Sequence, residues 1–177
     1  MHSALTWLPA LVVAVAALGG GFWLGSAQRQ QGAAPPGAGA ALTTAKFTDL
    51  QGNAVDLGRW QGQIRVVNFW ATWCPPCREE IPGLIDVQKR LGPQGVQVVG
   101  VAIDSADKTR EYAANIGINY VIVLGTMATV DLVRELGNKA GALPFTVILN
   151  RDGAVSGTHL GLMTVEQIEQ AVRAAGG

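Results

Sequence analysis

Residues 64–80 read IRVVNFWATWCPPCREE, and the order of residue types in this stretch decides the fold. Ile64 to Trp70 is a β-branched and aromatic run, the composition of a strand buried on both faces near the middle of a sheet. It leads straight into Cys74-Pro75-Pro76-Cys77. Pro75 suits the first position of a helix, where its missing N–H had no partner to lose. The helix is predicted to run from Pro75 to about Leu91, where Gly92-Pro93 ends it, and Pro82 is expected to interrupt and kink it.

A strand feeding Cys-x-x-Cys at the head of a helix has a chemical use. The free N–H groups and positive dipole end of the helix favour a thiolate over a thiol at Cys74. Cys74 is therefore the expected nucleophile, attacking a substrate disulfide to form a mixed disulfide that Cys77 resolves from within the same turn. These are the only two cysteines, so a structural disulfide framework is excluded. A zinc knuckle lacks two further ligands, and a c-type haem attachment would need His where Arg78 stands. No metal ligand set and no cofactor beyond the redox-active disulfide are expected.

Outward from this segment, helical and strand periods alternate. Val96 to Ile103 reads as a second buried strand, Lys108 to Ile116 as a helix, Tyr120 to Leu124 as a strand and Thr129 to Leu136 as a short helix. Phe47 to Leu50 and Ala54 to Leu57 form a hairpin signal, as do Phe145 to Leu149 and Ala154 to His159 around Asn150-Arg151-Asp152-Gly153. Thr164 to Ala174 is a closing helix with Thr164 as N-cap and Gln167 at the capping-box position. The expected class is an α/β three-layer sandwich with a mixed central sheet flanked by helices.

Ala4 to Gly25 carries no charged side chain and is long enough to cross a bilayer, with Trp7 and Trp23 near its ends. Residues 1–27 are read as a transmembrane anchor or as a signal peptide cleaved near Gly25-Ser26-Ala27; the length favours the anchor. Residues 28–41 (QRQQGAAPPGAGAA) read as a flexible linker, and the folded domain as 42–177. The expected location is a bacterial cell membrane, single-pass, with the domain on the periplasmic side, or the periplasm after cleavage. With 13 basic and 13 acidic residues among 177 and no basic cluster, no nucleic-acid partner is expected.

WCPPC after a VNFWAT strand resembles the active site of the thioredoxin superfamily, and more narrowly its exported TlpA/ResA-like branch with the cytochrome c maturation thioredoxins. The resemblance extends to the layout of anchor, linker and domain, and to the N-terminal hairpin. The segment from about Asp107 to Gly125 resembles the helix–strand insert of that branch. It implies a monomeric thiol–disulfide oxidoreductase acting on disulfides of exported proteins, such as apocytochrome c or copper-site cysteines, with electrons from a membrane thiol donor. Leu143-Pro144-Phe145-Thr146 is similar to the cis-proline loop, so Pro144 should pack against the cysteines and the Leu143 backbone should pair with substrate. Glu80, one turn past Cys77, matches an acidic residue near the pair in ResA-like proteins. There it would raise the thiol pKa values and relay protons. Asn68 stands where cytosolic thioredoxins carry a buried acid, and Glu80 is the natural substitute.

Trp73, Pro75, Pro76 and Leu143 are the candidate substrate contacts, with Trp73 shielding one side of the disulfide and Trp70 in the core. Arg78 could add positive potential near the thiolate, and His159 is read as structural. A disulfide-forming oxidant or isomerase would use the same residues at a different potential. A copper-binding oxidase assembly factor could hold Cu(I) between the two thiolates, although copper chaperones of this superfamily typically show CxxxC with a partnering histidine. A thiol peroxidase would need a Pro-x-x-x-Thr-x-x-Cys pattern that is absent.

Overall fold

The computed structural model of the protein describes residues 37–176. The apolar segment and the first part of the linker therefore lie outside the described residues. No helix among the described residues is long and apolar enough to cross a membrane. In chain order the elements are α1 (Ala38–Thr44), β1 (Lys46–Asp49), β2 (Ala54–Asp56), β3 (Ile64–Trp70), α2 (Pro75–Leu91) and β4 (Val96–Ala102). They continue with α3 (Ala106–Ile116), β5 (Val121–Leu124), α4 (Met127–Glu135), β6 (Phe145–Leu149), β7 (Val155–Leu160) and α5 (Val165–Ala174).

The strands form one mixed sheet in the order β2-β1-β5-β4-β3-β6-β7. β3 lies inside it, parallel to β4 and antiparallel to β6, and each of its residues is buried. Because successive strand side chains point to opposite faces, β3 feeds two cores. Ile64, Val66 and Trp70 pack with Ile81, Leu84 and Val87 of α2 and Ile168 and Val172 of α5. Val67 and Phe69 pack with Leu42 of α1, Phe47 of β1 and Val133 of α4. The result is the three-layer α/β sandwich of a thioredoxin-like fold. The β1–β2 hairpin extends the sheet through an antiparallel pairing of β1 with β5.

Two expectations change. The linker does not extend to residue 41: Ala38 already begins α1, in which Ala38, Gly39 and Leu42 are buried. Full burial of Leu42 contributes roughly 1.5–3 kcal/mol. Gly39 permits the close approach, since a Cβ there would stand 2.3 Å from the Gly153 carbonyl oxygen in the β6–β7 turn. The second change concerns Pro82. It removes one N–H from the helical ladder, yet α2 runs unbroken from Pro75 to Leu91. Buried Ile81, Leu84 and Val87 hold both halves of the helix on the sheet.

The apparent flaw in β3, Arg65, is buried at the end of the strand far from the cysteines. Its Nη1 donates to the Leu57 carbonyl (3.3 Å) and its Nη2 to that of Asn150 (2.9 Å), tying the start of the sheet to the β6–β7 turn.

Candidate active site

β3 ends at Trp70, and the chain turns through Ala71-Thr72-Trp73 to Cys74, which caps α2 in an extended conformation. The turn is closed by the Cys74 N–H donating to the Ala71 carbonyl (3.2 Å), and the helix begins as the Arg78 N–H donates to the Cys74 carbonyl (3.2 Å). Pro75 and Pro76 occupy the first two helical positions, so two donors that would be orphaned there do not exist. The Thr72 hydroxyl donates to the Asp104 carboxylate just after β4, which anchors the loop to the neighbouring strand.

Cys74 and Cys77 are joined as a disulfide, with Cα atoms 5.3 Å apart. Cys77 is fully buried and Cys74 is 4% exposed. Around them Trp73, Pro75 and Pro76 face solvent. Trp73 is 65% exposed, beside the nearly closed Cys74. Trp70 is fully buried, as expected. A shallow groove of about 340 Å³ lies at the head of α2, lined by Pro75, Arg78, Glu79 and Tyr112, and the Arg78 guanidinium lies over the Tyr112 ring at 5.5 Å.

The Leu143–Pro144 peptide bond is cis. Pro144 is buried and Leu143 half-buried at the start of β6. β6 pairs with β3 through Phe69↔Phe145 and Asn68↔Thr146, so the next positions along this register bring Pro144 and Leu143 toward the Trp70–Ala71 exit from β3. The Pro144 carbonyl accepts from the Gly161 N–H (2.9 Å). The remaining candidate, His159, lies on β7 opposite Thr146.

Glu80 is buried, 2% exposed. Its spacing of three from Cys77 puts both on one face of α2. Oε1 accepts from the Met163 backbone N–H (3.2 Å) and Oε2 from Asn68 Nδ2 (3.1 Å). Burial raises its pKa to about 7, outweighing the Met163 and Asn68 hydrogen bonds that pull it down. A carboxyl near 7 is matched to exchanging protons with a thiol at neutral pH. Tyr120, just before β5, also senses this charge: its phenol is pushed far up by burial, then by Glu80 and Tyr112.

Three supports of this site escape a reading of the sequence. Met163 acts through its backbone, which no side-chain pattern reveals. Asp104 is separated from Thr72 by a whole β–α crossover. Thr146 reads in the sequence only as part of the proline loop, yet its hydroxyl accepts from Asn68 Nδ2 (2.9 Å). Among the described residues no group of three or more His, Cys, Asp or Glu side chains gathers to hold a metal.

The Redoxin family model matches residues 37–173, which takes in both cysteines, Glu80 and the proline loop. The chain belongs to the Redoxin family. Within it, the thiol-disulfide oxidoreductase ResA of Geobacillus kaustophilus is 32% identical over 125 residues, 70% of this chain and 70% of that one. ResA of Bacillus subtilis is 31% identical over 121 residues, 68% of this chain and 65% of its own length. A solved thiol:disulfide interchange protein of the thioredoxin family from Chlorobium tepidum superposes with a TM-score of 0.65 at 29% identity, covering 75% of this chain and 93% of that one. This Redoxin member is thus a thiol–disulfide oxidoreductase of the TlpA/ResA-like thioredoxin branch, with Cys74 and Cys77 as its CxxC pair.

Proposed function

We propose that the protein is an extracytoplasmic protein-disulfide reductase, held at the membrane by its N-terminal segment and supplied with electrons by a membrane thiol donor. Its substrates are disulfides in exported proteins, such as the CxxCH cysteines of apocytochrome c or the cysteines of copper sites. Cys74, at the helix head, is the attacking thiolate. Its sulfur bonds to one substrate sulfur while the other leaves as a thiolate and takes up a proton. Cys77 then gives its proton to Glu80 and attacks the Cys74 sulfur of the mixed disulfide, so that the second substrate sulfur leaves as a thiolate and takes up a proton. Two electrons pass to the substrate and the Cys74–Cys77 disulfide remains. Pro144 packs beside the pair and the Leu143 backbone pairs with the substrate segment, while Trp73, Pro75 and Pro76 present the exposed contact surface.

The observation that carries this reading is the Glu80 carboxyl, buried one turn beyond Cys77 and poised near neutrality. An ionised carboxylate there disfavours thiolates nearby and so stabilises the disulfide over the dithiol, the property of a reductant. The test is the reduction potential of the pair, followed by tryptophan fluorescence against glutathione or dithiothreitol buffers. A value near that of thioredoxin, about −270 mV, is expected; a value near about −120 mV would mark a disulfide donor and defeat the proposal.

A further inference from the structure

Asn68 lies in the middle of β3, in register with Gly100 of β4 on one side and Thr146 of β6 on the other. Its Nδ2 uses both hydrogens, one on Glu80 Oε2 at 3.1 Å and one on Thr146 Oγ1 at 2.9 Å. Its Oδ1 is buried without a partner. A buried orphan acceptor is uncommon and costs about 1–3 kcal/mol.

The donors around Glu80 explain why the amide is held this way. The Met163 N–H meets one carboxylate oxygen and Asn68 meets the other, a set that suits the ionised form and leaves no acceptor for a carboxylic proton. When Glu80 takes up a proton, the new O–H needs an acceptor where these donors now point. The Met163 N–H is fixed by its backbone, at the entry to the capped helix α5. The Asn68 carboxamide carries a donor at one end and an acceptor at the other, exchanged by half a turn about its last side-chain bond. The Thr146 hydroxyl both accepts and donates.

We propose that Asn68 is a positioning residue whose carboxamide reverses as Glu80 gains or loses its proton. With Glu80 ionised, Nδ2 faces Oε2 and Thr146. With Glu80 protonated on Oε2, Oδ1 takes that place, accepting the Glu80 O–H and the Thr146 O–H, and Nδ2 becomes the unpartnered end. Each orientation leaves one end of the amide unsatisfied, so the charge on Glu80 selects between them. The amide carries no proton itself: the proton leaving Cys77 rests on Glu80, and Asn68 provides each charge state with its complementary partner. The other groups facing Glu80 are Tyr120, whose ionisation is suppressed, and Cys77 on its own helix. The inference rests on the reading of Glu80 as the proton carrier.

The test is a pH titration of the oxidised full-length protein, isotope-labelled for NMR in detergent micelles. The Glu80 carboxyl carbon and the Asn68 side-chain NH₂ signals are expected to move with one shared midpoint. The NOE contacts of that NH₂ with Thr146, present at high pH, are expected to vanish at low pH. A Glu80 that titrates while the Asn68 signals and contacts stay fixed would overturn the inference, as would a Glu80 that does not titrate between pH 4 and 9. A Glu80→Gln variant whose thiol exchange keeps the wild-type pH profile would remove the proton-carrier reading alone, because the amide reversal is read separately in the wild type. As a second measurement, Asn68→Leu removes the donor to the charged form and the acceptor for the protonated form together, so the Glu80 midpoint should move by less than about one pH unit; a larger rise, the effect of losing a fixed donor alone, would also overturn the inference.

Discussion

Replacing Glu80 by glutamine should change how the stability of the oxidised protein depends on pH. Burial raises the Glu80 carboxyl from 4.5 to about 7, so the fold favours the neutral acid. Its contribution to stability is fully present below about pH 4.5 and is lost as pH rises through 7. The gap is worth about 3 kcal/mol, a large share of the 5–15 kcal/mol typical of a domain. The assay is urea unfolding of the oxidised wild type and of Glu80→Gln at a series of pH values from 4 to 9. Across that range the wild type should lose about 3 kcal/mol relative to the variant, mostly between pH 5 and 8. The glutamine side chain brings its own hydrogen-bonding demands to Asn68 and Met163, so the absolute stability at one pH is not diagnostic; the difference in slope is. Parallel curves would mean that Glu80 does not titrate near neutrality, and the proton-carrier role would fall with it.

The remaining predictions concern the cysteines and the packing that supports them. Cys74→Ser should abolish disulfide exchange, whereas Cys77→Ser should accumulate mixed disulfides with substrates, visible by mass spectrometry under non-reducing conditions; equal loss without a trapped species would contradict the assigned roles. Gly39→Ala drives a Cβ against the Gly153 carbonyl at 2.3 Å and should lower stability by about 1–3 kcal/mol in urea unfolding, with the reduction potential unchanged. Gly100→Ala places a Cβ 2.9 Å from Trp70 Nε1 and 3.0 Å from the Tyr120 ring; a loss of about 1–3 kcal/mol and a change in tryptophan fluorescence should report the forced shift of the buried indole.

What the sequence reveals follows the range over which each signal acts. The strand, the cysteine pair and α2 are legible because their cues are local: a β-branched run, then proline at the first helical position, then glycine at the end. The capping box of Thr164 and Gln167 is local in the same way, and both of its reciprocal bonds are present. α1 is invisible because AGAALTT carries one large apolar residue, and its helix exists only where Gly39 meets a turn more than a hundred residues further on. Pro82 misleads for the opposite reason, since a local rule about proline is overridden by the packing of its buried neighbours. Glu80 is singled out by the family resemblance; on spacing alone it reads like its neighbour Glu79, a solvated helix residue. Its depth is not legible, because one of its two donors is the backbone of a residue 83 positions away.

Asn68 carries the same lesson into the chemistry. Read alone, it is a polar interruption in a mostly apolar strand, and the family pattern suggests only that Glu80 stands in for an acid carried at that position. The structure joins the two: the residue that departs from the cytosolic pattern is the one that holds its substitute, at 3.1 Å. A carboxyl on the helix rather than on the strand enters the core from the Cys77 side, and an amide beneath it supplies a donor without adding a second buried charge. An acid at both positions would put two carboxylates in one buried site, and like charges there would push one of them out of the range useful at neutral pH. Asparagine at position 68 therefore keeps Glu80 titrating singly, which is the condition a proton carrier serving one thiol must meet.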